Sequence, residues 1–203
     1  MKKKLLALLM ASVMVLSLAA CGGDTGDTTE DTGDTTTEDT TGGETAGAFK
    51  VGVIGPLTGG AAIYGTCVAN SAQIAVEEIN ALGGDIQFQL LTADDVNDAE
   101  TSVNAYNSLM DQGMQLLVGT VTTQPGLSVF PLTNEDRVFT VTPSASGDDC
   151  IEGNDTVYQV CFTDSNQGAR SAQYIAEHFD NPQIGIIYKN DDQYSQGIRD
   201  NFV

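Results

Sequence analysis

An α/β fold on a doubly wound, mostly parallel sheet is predicted by three features of this sequence. Apolar runs of strand length alternate with segments of helical periodicity from Lys50 onward. The first run, Lys50-Val51-Gly52-Val53-Ile54-Gly55, is near-continuously apolar, as expected of a strand covered on both faces. The connector after it, Pro56 to Gly65, is long, uncharged and rich in glycine. Such a loop lies at the carboxyl end of its strand, where open α/β sheets place their ligands. It suits approach to a small molecule by backbone and by one aromatic ring, Tyr64.

The elements follow in order. After the strand Lys50–Gly55, the spacing of Val68, Ala72, Ala75, Val76 and Ile79 predicts a helix over about Thr66–Leu82, ended by Gly83-Gly84. Ile86–Thr92 is the second strand. Asp98 is a good N-cap for a helix to Met110, with Val103, Tyr106 and Met110 on one face. Gln115–Gly119 is the third strand, and a helix starts near Thr123 and ends before Arg137, with a kink expected at Pro131. Val138–Thr142 is the fourth strand. Beyond Pro143 the pattern predicts strands at Val157–Phe162 and Ile184–Tyr188, a helix through Gln167–Phe179 capped by Asp164, and a helix over Tyr194–Phe202. The β-α-β-α rhythm implies parallel strands with helices on both faces.

The amino-terminal segment carries a different message. Lys2, Lys3 and Lys4 precede an apolar stretch from Leu5 to Leu18, and Leu18-Ala19-Ala20 leads into Cys21. This is the layout of a secretory signal over residues 1–20, and the cysteine directly after the small residues resembles the bacterial lipobox. Cys21 is then the expected lipidated first residue of an extracytoplasmic, membrane-anchored protein. The apolar run is shorter than the ~20 residues a spanning helix needs. Residues 21–48 are dominated by Thr, Asp, Glu and Gly, with eight carboxylates between Gly22 and Gly47 and no Lys or Arg there. So little apolar surface predicts a disordered tether.

The formal net charge of the chain is −20. The three signal lysines and the eight tether carboxylates set aside, about −15 remains on the folded part. So acidic a surface repels phosphate backbones, and nucleic acid is not an expected partner. Nor is a metal expected, because His178 is the single histidine and no paired ligand spacing exists. No cofactor motif is present either: Gly55-Pro-Leu-Thr-Gly59-Gly60 lacks the G-x-G-x-x-G pattern, and Asp94-Asp95 suit helix and loop capping better than a ribose. No P-loop, nucleophile elbow or Ser-His-Asp set argues for an enzyme. Cys150 and Cys161, eleven positions apart around a loop in an oxidising compartment, predict a disulfide; Cys67 is expected to be a buried thiol.

Val51-Gly-Val-Ile-Gly-Pro-Leu-Thr-Gly, Tyr64-Gly and Ala75-Val-Glu-Glu-Ile-Asn-Ala-Leu-Gly-Gly together resemble the opening of the branched-chain amino-acid substrate-binding proteins of ABC importers. The later landmarks keep the family's order: Gly119 with Thr122-Thr123, Thr142-Pro-Ser-Ala-Ser, Cys161-Phe-Thr-Asp-Ser-Asn-Gln-Gly and Asp191-Asp-Gln-Tyr-Ser-Gln-Gly. The resemblance implies a periplasmic-binding-protein-like type I fold of two lobes closing on a ligand. It implies a nearly complete first lobe over residues 49–163 and only the start of a second over 164–203, because family members are typically close to twice this length. A fragment is therefore expected. The implied partners are a small amino acid and an ABC permease and ATPase complex, with the membrane contacted through the lipid anchor only and the chain a monomer. A ligand-sensing ectodomain is the alternative.

A zwitterionic ligand needs fixed partners for both charges, because burying either alone costs several kcal/mol. Thr123, at the junction of strand three and its helix, offers a hydroxyl and free backbone N–H groups to a carboxylate at the positive end of the helix dipole. By resemblance, the loop Ser144-Ala145-Ser146 brings the Ser144 carbonyl and Ser146 hydroxyl to the ammonium and the Ser146 N–H to the carboxylate. Tyr64 covers the ligand side chain, Tyr194 adds an aromatic from the second lobe, and Asp164 joins the set, although helix capping accounts for it equally. The family's acidic partner for the ammonium falls beyond Val203. No arginine lies in a first-lobe cleft loop, which favours an aliphatic amino acid held by dipoles and hydroxyls.

Overall fold

The computed structural model describes residues 47–202. The signal, Cys21 and almost all of the tether lie outside the described residues. Five strands form one parallel sheet in the order β2-β1-β3-β4-β5. They are β1 (Phe49–Gly55), β2 (Phe88–Asp94), β3 (Leu116–Gly119), β4 (Phe139–Thr142) and β5 (Val157–Gln159). The helices are α1 (Ala62–Ala81), α2 (Ala99–Asp111), α3 (Thr123–Glu135), α4 (Asp164–His178) and α5 (Gln193–Phe202), with a 3-10 turn at Asp148–Cys150.

The first strand lies inside the sheet, and the later strands are added on both sides of it. β1 pairs with β2 on one side, Val51 opposite Leu90, and with β3 on the other, Val51 opposite Leu116. Because parallel crossovers are right-handed, this reversal puts α1 on one face and α2 and α3 on the opposite face. The carboxyl ends of β1 and β3 therefore diverge at a topological switch point, where a crevice opens. The main core lies under α2 and α3: Ile54 and Leu117 from the sheet meet Ala105, Tyr106 and Leu109 from α2 and Val129 from α3. Asp98 caps α2, its carboxylate accepting from the Thr101 N–H at 2.8 Å. A second, smaller cluster joins Phe130, Ala145, Cys150 and Val157 beneath the loop after β4.

Several expected boundaries shift for local reasons. α1 begins at Ala62, so Tyr64 sits in its first turn rather than in a loop. Gly65 makes that turn possible, since a Cβ there would lie 2.1 Å from the Pro56 carbonyl oxygen. The helix expected to start at Thr123 does so, but Thr122 occupies its cap position, and α3 continues through Pro131 to Glu135. β5 stops at Gln159, although the Val160 N–H still reaches the Thr142 carbonyl.

The strand expected at Ile184–Tyr188 is not formed. Ile184, Ile186, Ile187 and Tyr188 are all exposed, with no neighbouring strand edge among the described residues to complete a ladder. Cys67 is exposed rather than buried, because α1 buries only Gly65 among its residues. Cys150 and Cys161 are free thiols in place of the expected disulfide. The Cys150 side chain packs into the smaller cluster, whereas the Cys161 thiol is directed at the Ala145 carbonyl, 3.7 Å away.

Candidate ligand-binding site

The loops after β3 and β4 form a rim at the switch point, and hydroxyls hold them together. The Thr142 hydroxyl donates to the Thr120 carbonyl at 2.8 Å and accepts from the Ala145 N–H at 3.0 Å. The Ser144 hydroxyl donates to the Val121 carbonyl at 2.6 Å. The Thr123 oxygen accepts from the Ser146 and Gly147 N–H groups at 3.2 and 3.3 Å. A hydroxyl has two acceptor positions and one hydrogen. With both acceptor positions filled, Thr123 can offer only its hydrogen, which suits a carboxylate. Ser144 has already given its hydrogen, so its oxygen suits a cation. The Ser146 N–H expected to face a ligand carboxylate is instead used by Thr123.

Gly119 ends β3 in a conformation that only glycine adopts readily. Its φ is +135°, and a Cβ would sit 2.4 Å from the Ile54 carbonyl oxygen. On the other side of the crevice Asp94, at the end of β2, clamps the loop that leads to Tyr64. Its carboxylate accepts from the Leu57 N–H, the Thr58 hydroxyl and the Val96 N–H at 2.8, 2.6 and 2.9 Å. Burial works against the ionised form, but these bonds outweigh it and hold the carboxyl below its usual range. Asp94 thus serves as a loop clamp.

Between these walls lies a cavity of about 440 Å³. Tyr64, Thr123, Ser144, Ser146 and Tyr194 all line it. Ala145 does not; it is fully buried in the smaller cluster, and its carbonyl accepts from the Gln159 side chain at 2.6 Å. Asp164 lines an adjoining cavity of about 360 Å³, which shares Thr123 with the first. Its expected capping role belongs to Thr163, whose hydroxyl accepts from the Asn166 N–H at 3.3 Å. The Asp164 carboxylate is 1% exposed. Among the described residues, neither of its oxygens has a hydrogen-bond partner of good geometry. Burial pushes this carboxyl up, the neighbouring Ser146 hydroxyl opposes the shift, and Asp148 and Asp192 add to it.

Sequence reasoning missed Asn97, Phe162 and Asp192, which also line the larger cavity, and Thr142, which braces it from behind. Asp192 lies inside the Asp191–Gly197 stretch already singled out. Asn97 sits in the turn after β2 with a φ of +61°, a conformation asparagine tolerates. Among the described residues, no group of three or more His, Cys, Asp or Glu side chains is placed to hold a metal ion. No described helix is long and apolar enough to cross a membrane.

A parallel α/β lobe with a cavity lined by aromatic rings and hydroxyls at its switch point defines the class of small-molecule binding proteins with open α/β sheets. The family model described as periplasmic binding protein matches residues 48–203, and the chain belongs to that family. The Leu/Ile/Val-binding protein BraC3 of Rhizobium johnstonii is 34% identical over 157 residues, 76% of this chain and 42% of the relative. The Leu/Ile/Val-binding protein of Escherichia coli is 28% identical over 156 residues, 74% of this chain and 41% of the relative. Among solved structures, the branched-chain amino acid transporter substrate binding protein LivJ from Streptococcus pneumoniae, in complex with isoleucine, superposes with a TM-score of 0.72 at 27% identity. That match covers 77% of this chain and 46% of LivJ. The chain thus spans under half the length of the relatives it matches.

Proposed function

We propose that this chain is the ligand-capturing part of a lipid-anchored, extracytoplasmic solute-binding protein that takes a small amino acid and delivers it to an ABC importer. The observation that carries this reading is the convergence of Tyr64, Thr123, Ser144, Ser146 and Tyr194 on one cavity at the switch point. Thr123 donates to the ligand carboxylate. The Ser144 carbonyl and the Ser146 hydroxyl, with Asp164 as the buried negative charge beside them, receive the ammonium. Tyr64 and Tyr194 close over the side chain from opposite sides. The branched-chain aliphatic amino acids are the favoured ligands, as the names of the relatives and the lack of any basic residue in the cavity lining support.

In this reading residues 49–163 are the first lobe and 164–203 the beginning of the second. Cys21 carries the lipid, and the protein acts as a monomer beside its permease and ATPase. A single acyl chain binds a membrane only marginally, so stable anchoring calls for the multiple chains of a modified amino-terminal cysteine.

Isothermal titration of the complete gene product with leucine, isoleucine and valine tests the substrate; absence of binding to all three removes it. Thr123→Val, which keeps the shape and removes the hydroxyl, should weaken binding by about 1–3 kcal/mol, with Thr123→Ser restoring most of it. Cys21→Ser should release the protein from the membrane fraction; continued retention would remove the anchor.

A further inference from the structure

Asp164 stands alone among acids. It is 1% exposed, and among the described residues neither oxygen has a hydrogen-bond partner of good geometry, although the nearby Ser146 hydroxyl favours its ionised form. Among the described residues, the charged groups that face it are negative. From the loop after β4 come Asp148, which raises its pKa, and Asp149, which lines the same cavity. From the segment leading into α5 and from α5 itself come Asp192 and Asp200. The thiols Cys150 and Cys161 are its remaining titratable neighbours, and burial first, then the Asp164 charge, shifts both upward. Arg199 on α5 is committed to Asp200 and to the Tyr188 ring. Gly197 closes the approach from α5, since a Cβ there would lie 2.9 Å from the Asp164 carboxylate.

A carboxyl buried away from solvent beside other acids, with no counter-ion among the described residues, is costly as an anion. A proton removes that cost, and so does an arriving cation. We propose that Asp164 carries a proton while the site is empty and releases it when the ligand ammonium arrives, so that amino-acid capture is coupled to proton release and tightens as pH rises. The proposal rests on the amino-acid reading given above. The exchange is balanced: the Asp164 O–H bond breaks, its electron pair stays on the carboxylate, the proton goes to solvent, and the ammonium becomes the counter-charge. Affinity then rises with pH by up to about tenfold per unit until Asp164 is ionised in the empty protein, and levels off above that point.

Titration calorimetry of the complete gene product with leucine tests this, run from pH 4.5 to 8 in pairs of buffers that differ in ionisation enthalpy. The expected result is release of up to one proton per leucine on the rising part of the affinity profile. Asp164→Asn should abolish both the release and the slope. Asp95→Asn should leave both in place, because Asp95 is a second buried carboxylate that lines neither cavity. Binding of leucine with constant affinity and no proton release across the range overturns the coupling and leaves the amino-acid reading intact. So does loss of the slope in Asp95→Asn rather than in Asp164→Asn. No binding at any pH overturns both.

Discussion

Two sets of polar side chains meet at the carboxyl end of the sheet, and they are completed to different degrees. The rim made by the loops after β3 and β4 is closed: Thr142, Ser144 and Thr123 each bond across from one loop to the other. The wall at the start of α4 is open: Asp164 is as deeply buried as Thr142, yet among the described residues neither of its oxygens has a hydrogen-bond partner of good geometry. A closed network keeps its geometry whether or not a ligand is present. An open one needs a charge from outside. Substitutions in the two sets should therefore have opposite signs in the empty protein, with losses in the rim costing stability and neutralisation of a buried acid adding to it.

The largest effect is expected beneath the rim. Gly119→Ala forces a side chain into a φ of +135° and against the Ile54 carbonyl. The combined strain and overpacking should cost on the order of 4 kcal/mol in urea unfolding. A loss under about 1 kcal/mol would mean that the rim is pliant and not fixed.

Asp95 gives the opposite sign without touching either cavity. Burial pushes its carboxyl up to about 6, the Asn97 N–H bond opposes the shift, and Asp94 and Asp98 reinforce it. In the unfolded chain the group titrates near 3.8. The folded state thus binds the proton more tightly, so stability falls as pH rises from 3.8 to about 6 and stays at the lower level above it. At about 1.4 kcal/mol per unit, this amounts to as much as ~3 kcal/mol. Asp95→Asn should raise the unfolding free energy at pH 7 and flatten that pH window. Asp164→Asn should act in the same direction. A pH-independent loss of stability in both variants would dissolve the distinction between rim and wall. Thr142→Val follows in size. It leaves the Thr120 carbonyl and Ala145 N–H without a buried partner, for a loss of about 2 kcal/mol.

The sequence made the rim visible only in part. Thr123 was legible because a polar residue between an apolar strand and a periodic helix marks a helix amino terminus, and the family landmarks fixed the order of Ser144, Ser146 and Tyr194. The role of Thr142 was not, because its partner Thr120 lies 22 positions away and only the sheet brings them together. The same limit explains Ile184–Tyr188. Its alternation and β-branched residues are those of a strand, but a strand is completed by a neighbouring edge, and propensity is silent about whether that edge exists. Asp164 looked like a cap because position and residue type both fit. The cap fell one residue earlier, to Thr163, and that single shift turns a surface hydrogen bond into a buried carboxyl group. Cys150 and Cys161 are neighbours in space as well as in sequence, and both are free thiols, one packed into the smaller cluster and the other directed at the Ala145 carbonyl.

The smallest effect separates burial from charge. Arg137 and Asp155 form an ion pair with both side chains well exposed, 63% and 71%. The Arg137 guanidinium holds the Asp155 carboxyl below its usual range. Water screens both partners whether or not they touch, and holding two mobile side chains together offsets much of the attraction. Asp155→Ala should therefore leave the urea unfolding midpoint almost unchanged, and its small effect should shrink further in high salt. Asp155 and Asp164 carry the same carboxylate on the same protein, one solvated and paired, the other buried and alone. If Asp155→Ala changed stability by as much as Asp95→Asn, charge pairing rather than burial would govern this surface, and the open wall would lose its physical basis.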